Sequence, residues 1–552
     1  MVSMLLRSIL DFAGIAALVP IIFVIADRLG NEKRLVLLLC CGVVIFILIK
    51  NCIILFLNKF QTKYQLSIYR DFSRRLFINY YNAGLMFLKK RSSVQLAYEV
   101  NGICLTFSQS VLGSLFRMAG EFFLIILMVA ALIAWRPMMG LLTAVLFLPL
   151  AAVYVFTVRK RVRKIGAESL KALRAQSRTV AEAFRGFSEL EIADAFGTSL
   201  NTFDKNQETI IHNRRSMEMY QLFPFFLSEM AVIAGLVILA IFGGNDLALT
   251  GGVFAIAAFR MIPAVRGLMN HYGTLQNNID TVEVIEKGLA SNSRQEDSKE
   301  DKKTQMPQIE EEIKDNKNYG AGSNESDGIG RKQLTFERGI EGKDLGFSFP
   351  DGDVLFNHLD LKIKKGERIG IKGKSGSGKS TLFNILLGFF VPTEGEILID
   401  GMQLNDSNRK EWHKMVGYVP QEIFIIKGTL GENIALGDKN IDEEKVWKVL
   451  EQVSLKEWAQ ELNEGLNTEL GEFGNRLSGG QKQRIGIARA LYKGAKVLFF
   501  DEATSSLDSV TEREINQALE ELSDKQEELT LIIIAHRESS LTFCDRIIEL
   551  AP

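Results

Sequence analysis

Apolar residues are unevenly spread along the chain. Between residues 1 and 290 they gather into long runs with few charges, at Leu5–Ile25, Leu35–Leu57, Phe122–Trp135, Leu141–Val158, Leu222–Phe242 and Val253–Leu268. A helix crosses a bilayer core with about 20 mostly apolar residues, so the pattern predicts an α-helical membrane domain of about six spans. The second run, LVLLLCCGVVIFILIKNCIILFL, is interrupted only by Lys50 and Asn51. Arg136 and Pro137 divide the third run from the fourth, and Gly243 to Asp246 the fifth from the sixth, so both read as tight turns. No small-residue cleavage site follows the first run, which is expected to remain as a span.

The segments between the runs set the orientation. Asn58 to Arg117 holds nine basic residues and two acidic ones, among them Arg70, Arg74, Arg75, Lys89, Lys90 and Arg91. The segment from Arg159 opens with RKRVRK. Positive loops stay cytoplasmic, so both lie on one side of the membrane, and an even span count puts the C-terminal half there too. Helical periodicity in these loops predicts that spans two to five continue beyond the bilayer. Residues 291–333 are polar, charged and glycine-dotted and read as a disordered linker. The domains are thus 1–290, the linker 291–333, and a soluble α/β domain over 334–552.

Composition changes this picture little. The net charge of −1 leaves no electrostatic footprint for nucleic acid, which is not expected as a partner. Mean hydropathy is +0.09, high for a chain with 24% charged residues, as a membrane half joined to a soluble half would give. Cys40, Cys41, Cys52, Cys104 and Cys544 form no C-x-x-C pair, so neither a disulfide framework nor a zinc site is supported.

Candidate chemistry lies in the soluble half. RIGIKGKSGSGKST runs from a strand-like stretch into a helix start and fits the phosphate-binding loop G-x-x-x-x-G-K-[ST] over Gly373, Lys374, Ser375, Gly376, Ser377, Gly378, Lys379, Ser380 and Thr381. Glycines let backbone N–H groups close on phosphate, aided by the positive end of the following helix. Lys379 supplies charge for the β- and γ-phosphates, and Ser380 a hydroxyl ligand for Mg2+. Downstream, VLFFDEATSSLD begins as an all-apolar buried strand and delivers Asp501 and Glu502 to its carboxyl end. Asp501 suits Mg2+ ligation, and Glu502 suits the general base that activates water.

A third motif, NRLSGGQKQRIGIARAL, places Leu477, Ser478, Gly479, Gly480 and Gln481 at the mouth of an amphipathic helix. With the other two motifs in order, the soluble half resembles the P-loop NTPase domain of ATP-binding-cassette (ABC) transporters. The resemblance implies that Phe349, where the family usually has tyrosine, stacks on adenine. It implies that Gln421 senses Mg2+ and the membrane domain, and that Glu472 lies in the loop facing the coupling helices. Asp508 would belong to the loop that crosses the dimer, and His536 would contact the γ-phosphate.

Six spans and one cassette resemble an exporter-type half-transporter of a bacterial inner membrane, with its cassette in the cytoplasm and membrane lipid around its spans. The family pattern implies a homodimer in which ATP, with Mg2+, is held between the phosphate loop of one chain and the signature of the other. Candidate coupling helices fall near Ser92–Tyr98 and Thr198–Lys205. The family usually carries an elbow segment ahead of the first span, and its lack here is expected to leave that helix bare. For the transported substrate, Arg260 and Arg266 flank Pro263 and, with Lys50 and Arg117, are candidates to line a cavity for an anionic head group. AAFRMIPAVRGL and DFAGIAALVPIIFV resemble the bacterial flippase of lipid-linked oligosaccharides. The alternatives are that these arginines snorkel or pair with Asp11 or Glu121, that the cargo is a peptide or drug, or that the chain is a membrane-anchored regulatory ATPase without cargo.

Overall fold

The computed structural model describes residues 2–17, 33–242, 247–290, 334–349, 352, 354–503, 509–535 and 537–550. The chain divides into two compact units, Met1–Met306 and Pro307–Pro552. The expected linker and the expected turn at 243–246 lie outside the described residues, as does the second half of the first expected span.

The first unit is helical: α1 (Val2–Ala16), α2 (Lys33–Asn82), α3 (Ser93–Trp135), α4 (Pro137–Arg185), α5 (Phe196–Phe242), α6 (Leu247–Asn278) and α7 (Asp280–Ala290). Helices α2 to α5 have 50, 43, 49 and 47 residues. At 1.5 Å per residue each is roughly 65–75 Å long, more than twice a hydrocarbon core of about 30 Å. The apolar runs therefore continue as charged helices beyond the bilayer, as the periodicity predicts. Among the described residues, four stretches are long and apolar enough to cross a membrane: Cys40–Asn82, Ser93–Trp135, Pro137–Arg185 and Phe196–Ile238.

The α3–α4 hairpin turns on one residue. Arg136 is extended (φ −144°, ψ 105°), and Pro137 opens α4, where its missing N–H leaves no helical bond unmade. Gly140 packs so tightly that a Cβ there would lie 2.7 Å from the Ile133 nitrogen. Two π-helical segments, Glu99–Ile103 and Phe107–Leu112, interrupt α3 in its charged half. Short helices Gly84–Lys90 and Phe187–Ile192 precede α3 and α5. The stretches Ser92–Tyr98 and Thr198–Lys205, expected as candidate coupling helices, fall at the openings of α3 and α5, with Ser92 as the N-cap of the helix at Ser93–Tyr98. The core joins Leu124, Met128 and Leu132 of α3 to Tyr154 and Val158 of α4 and Met261, Val265 and Met269 of α6.

The second unit carries two sheets. The antiparallel one has the order β2-β1-β4-β5, with β1 at Gly339–Ser348, β2 at Val354–Lys364, β4 at Glu394–Ile399 and β5 at Met402–Gln403. The parallel one has the order β6-β7-β8-β3-β9, with β3 at Arg368–Gly373, β6 at Val416–Val419, β7 at Val497–Asp501, β8 at Thr530–Ile534 and β9 at Arg546–Leu550. Every residue of β8 is buried, as are Val497 to Phe500 of β7, which is why both read as unbroken apolar runs. Four helices position the chemistry: α8 (Lys379–Leu386), α9 (Leu430–Ile434), α10 (Glu443–Gln452) and α11 (Gly479–Tyr492). Phe383 of α8 meets Phe499 of β7 edge-on, with ring centroids 5.3 Å apart, and so seats α8 on the sheet.

Candidate functional site

Strand β3 lies between β8 and β9 and releases the chain at Gly373 into the loop that becomes α8. Two glycines make the loop. Gly376 and Gly378 sit at φ +84° and +91°, a region costly for other residues. A Cβ on Gly378 would also lie 2.8 Å from Leu355 Cδ2. Lys379 is buried and folds back under the loop, donating from Nζ to the carbonyl oxygens of Gly373 and Lys374, 3.0 Å each. Ser377 Oγ is buried without a partner. Lys374, Ser375, Gly376 and Ser380 are exposed, and Thr381 is half-buried.

The end of β7 brings Asp501 to this loop. Its Oδ1 accepts from Ser380 Oγ at 3.3 Å, and its Oδ2 accepts from the Tyr418 hydroxyl at 3.3 Å. Burial, with the Asp501 carboxylate beside it, pushes the Tyr418 hydroxyl up, so it serves as a donor. Glu502 is in the left-handed region (φ +51°), and its N–H donates to Ile534 O at 3.0 Å. A non-glycine residue held there carries strain, which collects at functional positions. The loop and its surroundings fit ATP and Mg2+. An open glycine cradle, an orphaned buried hydroxyl and a lysine held only by carbonyls suit phosphate. The Ser380 hydroxyl and Asp501 carboxylate are hard oxygen donors of the kind Mg2+ prefers.

The signature begins with a reciprocal cap. Ser478 Oγ accepts from Gln481 N at 3.2 Å, while Ser478 N donates to Gln481 Oε1 at 2.8 Å. The spacing S-x-x-Q spells this capping box in the sequence. Ser478 and Gly479 are exposed at the mouth of α11, with Gly480 and Gln481 half-buried behind them. Among the described residues no hydrogen bond or ion pair joins Ser478–Gln481 to residues 373–381. Gln421 is exposed, and its carbonyl accepts from Gln483 Nε2 of α11 at 2.9 Å, tying the segment after β6 to the signature helix. Glu472 opens a single turn in which Phe473 is left-handed (φ 54°) and exposed. Phe349 is half-buried, its ring edge-on to Phe347 at 5.2 Å.

His536 and Asp508 lie outside the described residues. Their surroundings contain a residue the sequence did not single out. Glu512, buried in α12 (Ser509–Lys525), accepts from Ser539 Oγ at 3.0 Å, from Ser540 Oγ and from Arg537. Burial pulls its carboxyl up, but these bonds outweigh that and hold it below the usual carboxylate range.

In the helical unit, the cations named from sequence have different surroundings. Lys50 and Arg260 both pair with Asp11, at 3.2 and 2.8 Å, and Arg7 stands 3.9 Å from the same carboxylate. Arg266 lies over the Phe225 ring at 3.9 Å and donates to Ser228 Oγ at 2.8 Å. Arg117 has no carboxylate within salt-bridge distance among the described residues. A Cβ on Gly113 would lie 3.2 Å from Arg117 Nη2 and 3.3 Å from Gln65 Nε2, so these two donors converge over that glycine. Gln65 is 7% exposed, and its Nε2 has no partner.

Residues 356–505 match the family model described as ABC transporter. The chain is similar to the ATP-dependent lipid A-core flippase of Francisella tularensis, 31% identical over 73% of this chain and 62% of that one. It is also similar to the flippase of that name from Desulfotalea psychrophila, 29% identical over 87% and 79%. An uncharacterized ABC transporter ATP-binding protein of Bacillus subtilis is 41% identical over 38% of this chain and 36% of that one. The chain thus spans under two thirds of the Bacillus and Francisella relatives. Among solved structures, a bacterial Atm1-family ABC exporter with ATP bound shares the fold, with a TM-score of 0.77 and 19% identity over 100% of this chain and 93% of that one.

Proposed function

We propose that the chain is an ABC half-transporter of the exporter type, with its ATP-binding cassette fused behind apolar helices, and that it moves an anionic lipid across a bacterial inner membrane at the expense of ATP. The observation that carries the reading is a phosphate loop whose lysine rests on carbonyls and whose Ser380 meets Asp501, in one chain with helices long enough to span a bilayer.

In this reading the amides of 374–378 and Lys379 hold the phosphates of ATP. Ser380 and Asp501 hold Mg2+, which supplies charge neutralisation between the phosphates, with Gln421 reaching the same ion. Glu502 takes the proton of the attacking water, and His536 steadies the γ-phosphate. Phe349 offers its π-face to the base; phenylalanine keeps that face and loses only a hydroxyl. Two copies pair so that Ser478–Gln481 of one close over residues 373–381 of the other, and Asp508 crosses the seam. Exposure of Ser478 and Gly479, with no bond to the chain's own loop, supports this pairing.

The cargo follows from the donors left over in the helical unit. Lys50 and Arg260 share the one Asp11 carboxylate, which ties α1 to α2 and α6. Arg117 and the buried Gln65 amide converge over Gly113 without an acceptor among the described residues. A phosphate-bearing head group satisfies such donors. That the relatives above are flippases of lipid A-core points to the same class. The test is ATPase activity of the full chain in proteoliposomes with lipid-linked saccharides, peptides or hydrophobic drugs. Stimulation by the phosphate-bearing lipid alone is expected, and stimulation by drugs alone would refute the assignment.

A further inference from the structure

Tyr418 stands at the Asp501 carboxylate and belongs to none of the three nucleotide motifs. It lies on β6, the outermost strand of the parallel sheet, in register with Phe499 of β7. Side chains alternate along a strand, so Tyr418, Phe499 and Asp501 project from the same face. On that face Phe499 meets Phe383 of α8, which starts at Lys379 and Ser380. The tyrosine hydroxyl and the phosphate-loop serine thus approach one carboxylate from two neighbouring elements, each at 3.3 Å and each on its own oxygen.

We propose that Tyr418 is a positioning residue for the metal: it holds Oδ2 of Asp501, fixes the plane of the carboxylate, and leaves Oδ1 aimed at the position that Ser380 shares. The inference rests on the reading of this loop as a Mg-ATP site and adds a residue to it. A hydrogen bond to an ionised acceptor is among the stronger ones, and it persists if Ser380 Oγ turns from Asp501 to a cation. The position of Tyr418 gives the bond a second consequence. Gln421 is three residues further on, and its carbonyl is tied to Gln483 of the signature helix. Movement of that segment is therefore felt at the Asp501 carboxylate through one stretch of backbone and one hydroxyl.

The experiment uses the full chain in lipid nanodiscs and a non-hydrolysable ATP analogue at saturating concentration, with thermal stabilisation by the analogue titrated against Mg2+. Tyr418→Phe keeps the ring and removes only the hydroxyl. It is expected to need about three- to tenfold more Mg2+ for half of the effect, the equivalent of one hydrogen bond, with analogue binding in EDTA unchanged. Tyr418→Gln, which restores a donor without the ring, is expected to recover part of the Mg2+ response; a purely structural role for the ring predicts that it does worse than phenylalanine. Superimposable Mg2+ curves for the parent and Tyr418→Phe would overturn the proposal and leave the Mg-ATP reading standing. A parent chain whose analogue binding ignores Mg2+ would overturn both.

Discussion

In the helical unit, Asp11 collects Lys50, Arg260 and Arg7, and the buried Glu99 collects Arg174 at 3.4 Å, Arg91 at 3.6 Å and the Tyr80 hydroxyl at 2.6 Å. In the cassette, Lys379 is as deeply buried but rests on two carbonyl oxygens. A cation paired with a carboxylate is recruited by a ligand only in competition with that carboxylate. A cation resting on carbonyls can turn to an incoming phosphate and strand only weakly demanding dipoles. The first arrangement builds a scaffold, and the second waits for an anion. Arg117 is exposed and has no carboxylate partner among the described residues, so it too is open to an anion, whereas Lys50 and Arg260 share Asp11.

The sharpest break between the two kinds of site is expected in the cassette. Glu502→Gln should lower ATP hydrolysis by about a hundredfold or more while ATP still binds, since loss of a general base costs that much; steady-state hydrolysis at the parent rate would remove Glu502 from its role. Lys379→Ala should abolish stabilisation by nucleotide, which at a hundredfold excess over Kd amounts to about 2.7 kcal/mol; a thermal-shift series with and without ATP reads this directly. In the helical unit the order reverses. Asp11→Asn leaves half-buried cations without their carboxylate and should destabilise the unit by about 2 kcal/mol, below the cost of breaking a fully buried pair. Arg117→Ala should leave its melting temperature nearly unchanged and weaken stimulation by a phosphate-bearing lipid. Equal melting losses for Asp11→Asn and Arg117→Ala would erase the distinction.

The smallest effect concerns pH. Glu512 is held below its ordinary pKa by Ser540, Arg537 and Ser539 against the pull of burial, and Asp545 by backbone and side-chain bonds from Arg368, again against burial. A depressed carboxylate stabilises the fold above its unfolded pKa of about 4 and loses that contribution as pH falls toward its folded value. The cassette should therefore melt progressively earlier below about pH 4.5, and Glu512→Gln should flatten that slope.

Much of this was legible in the sequence because it is local. Apolar runs and their charged continuations follow from composition along one helix, and Gly376, Gly378 and Lys379 lie within four residues. The capping box from Ser478 to Gln481 was equally local. What escaped depends on separation. Tyr418 meets Asp501 across 83 positions, a spacing that carries no pattern, whereas the pairing of Arg260 with Asp11 across 249 positions was among the alternatives the sequence offered. The chain breaks before α3 and α5 at the left-handed Gly84 (φ +82°) and Asp194 (φ +48°), turns that no proline marks.

The central claim, that hydrolysis at the lysine loop drives an anionic lipid across the bilayer, is tested most directly by counting molecules on each leaflet. Proteoliposomes holding the parent chain and a fluorescent pyrophosphate-linked saccharide lipid should show ATP-dependent loss of the lipid from the face that bears the cassettes. The same vesicles with Glu502→Gln should show none. Equal translocation by both chains, or vigorous ATP hydrolysis by the parent with no movement of this lipid, would contradict it.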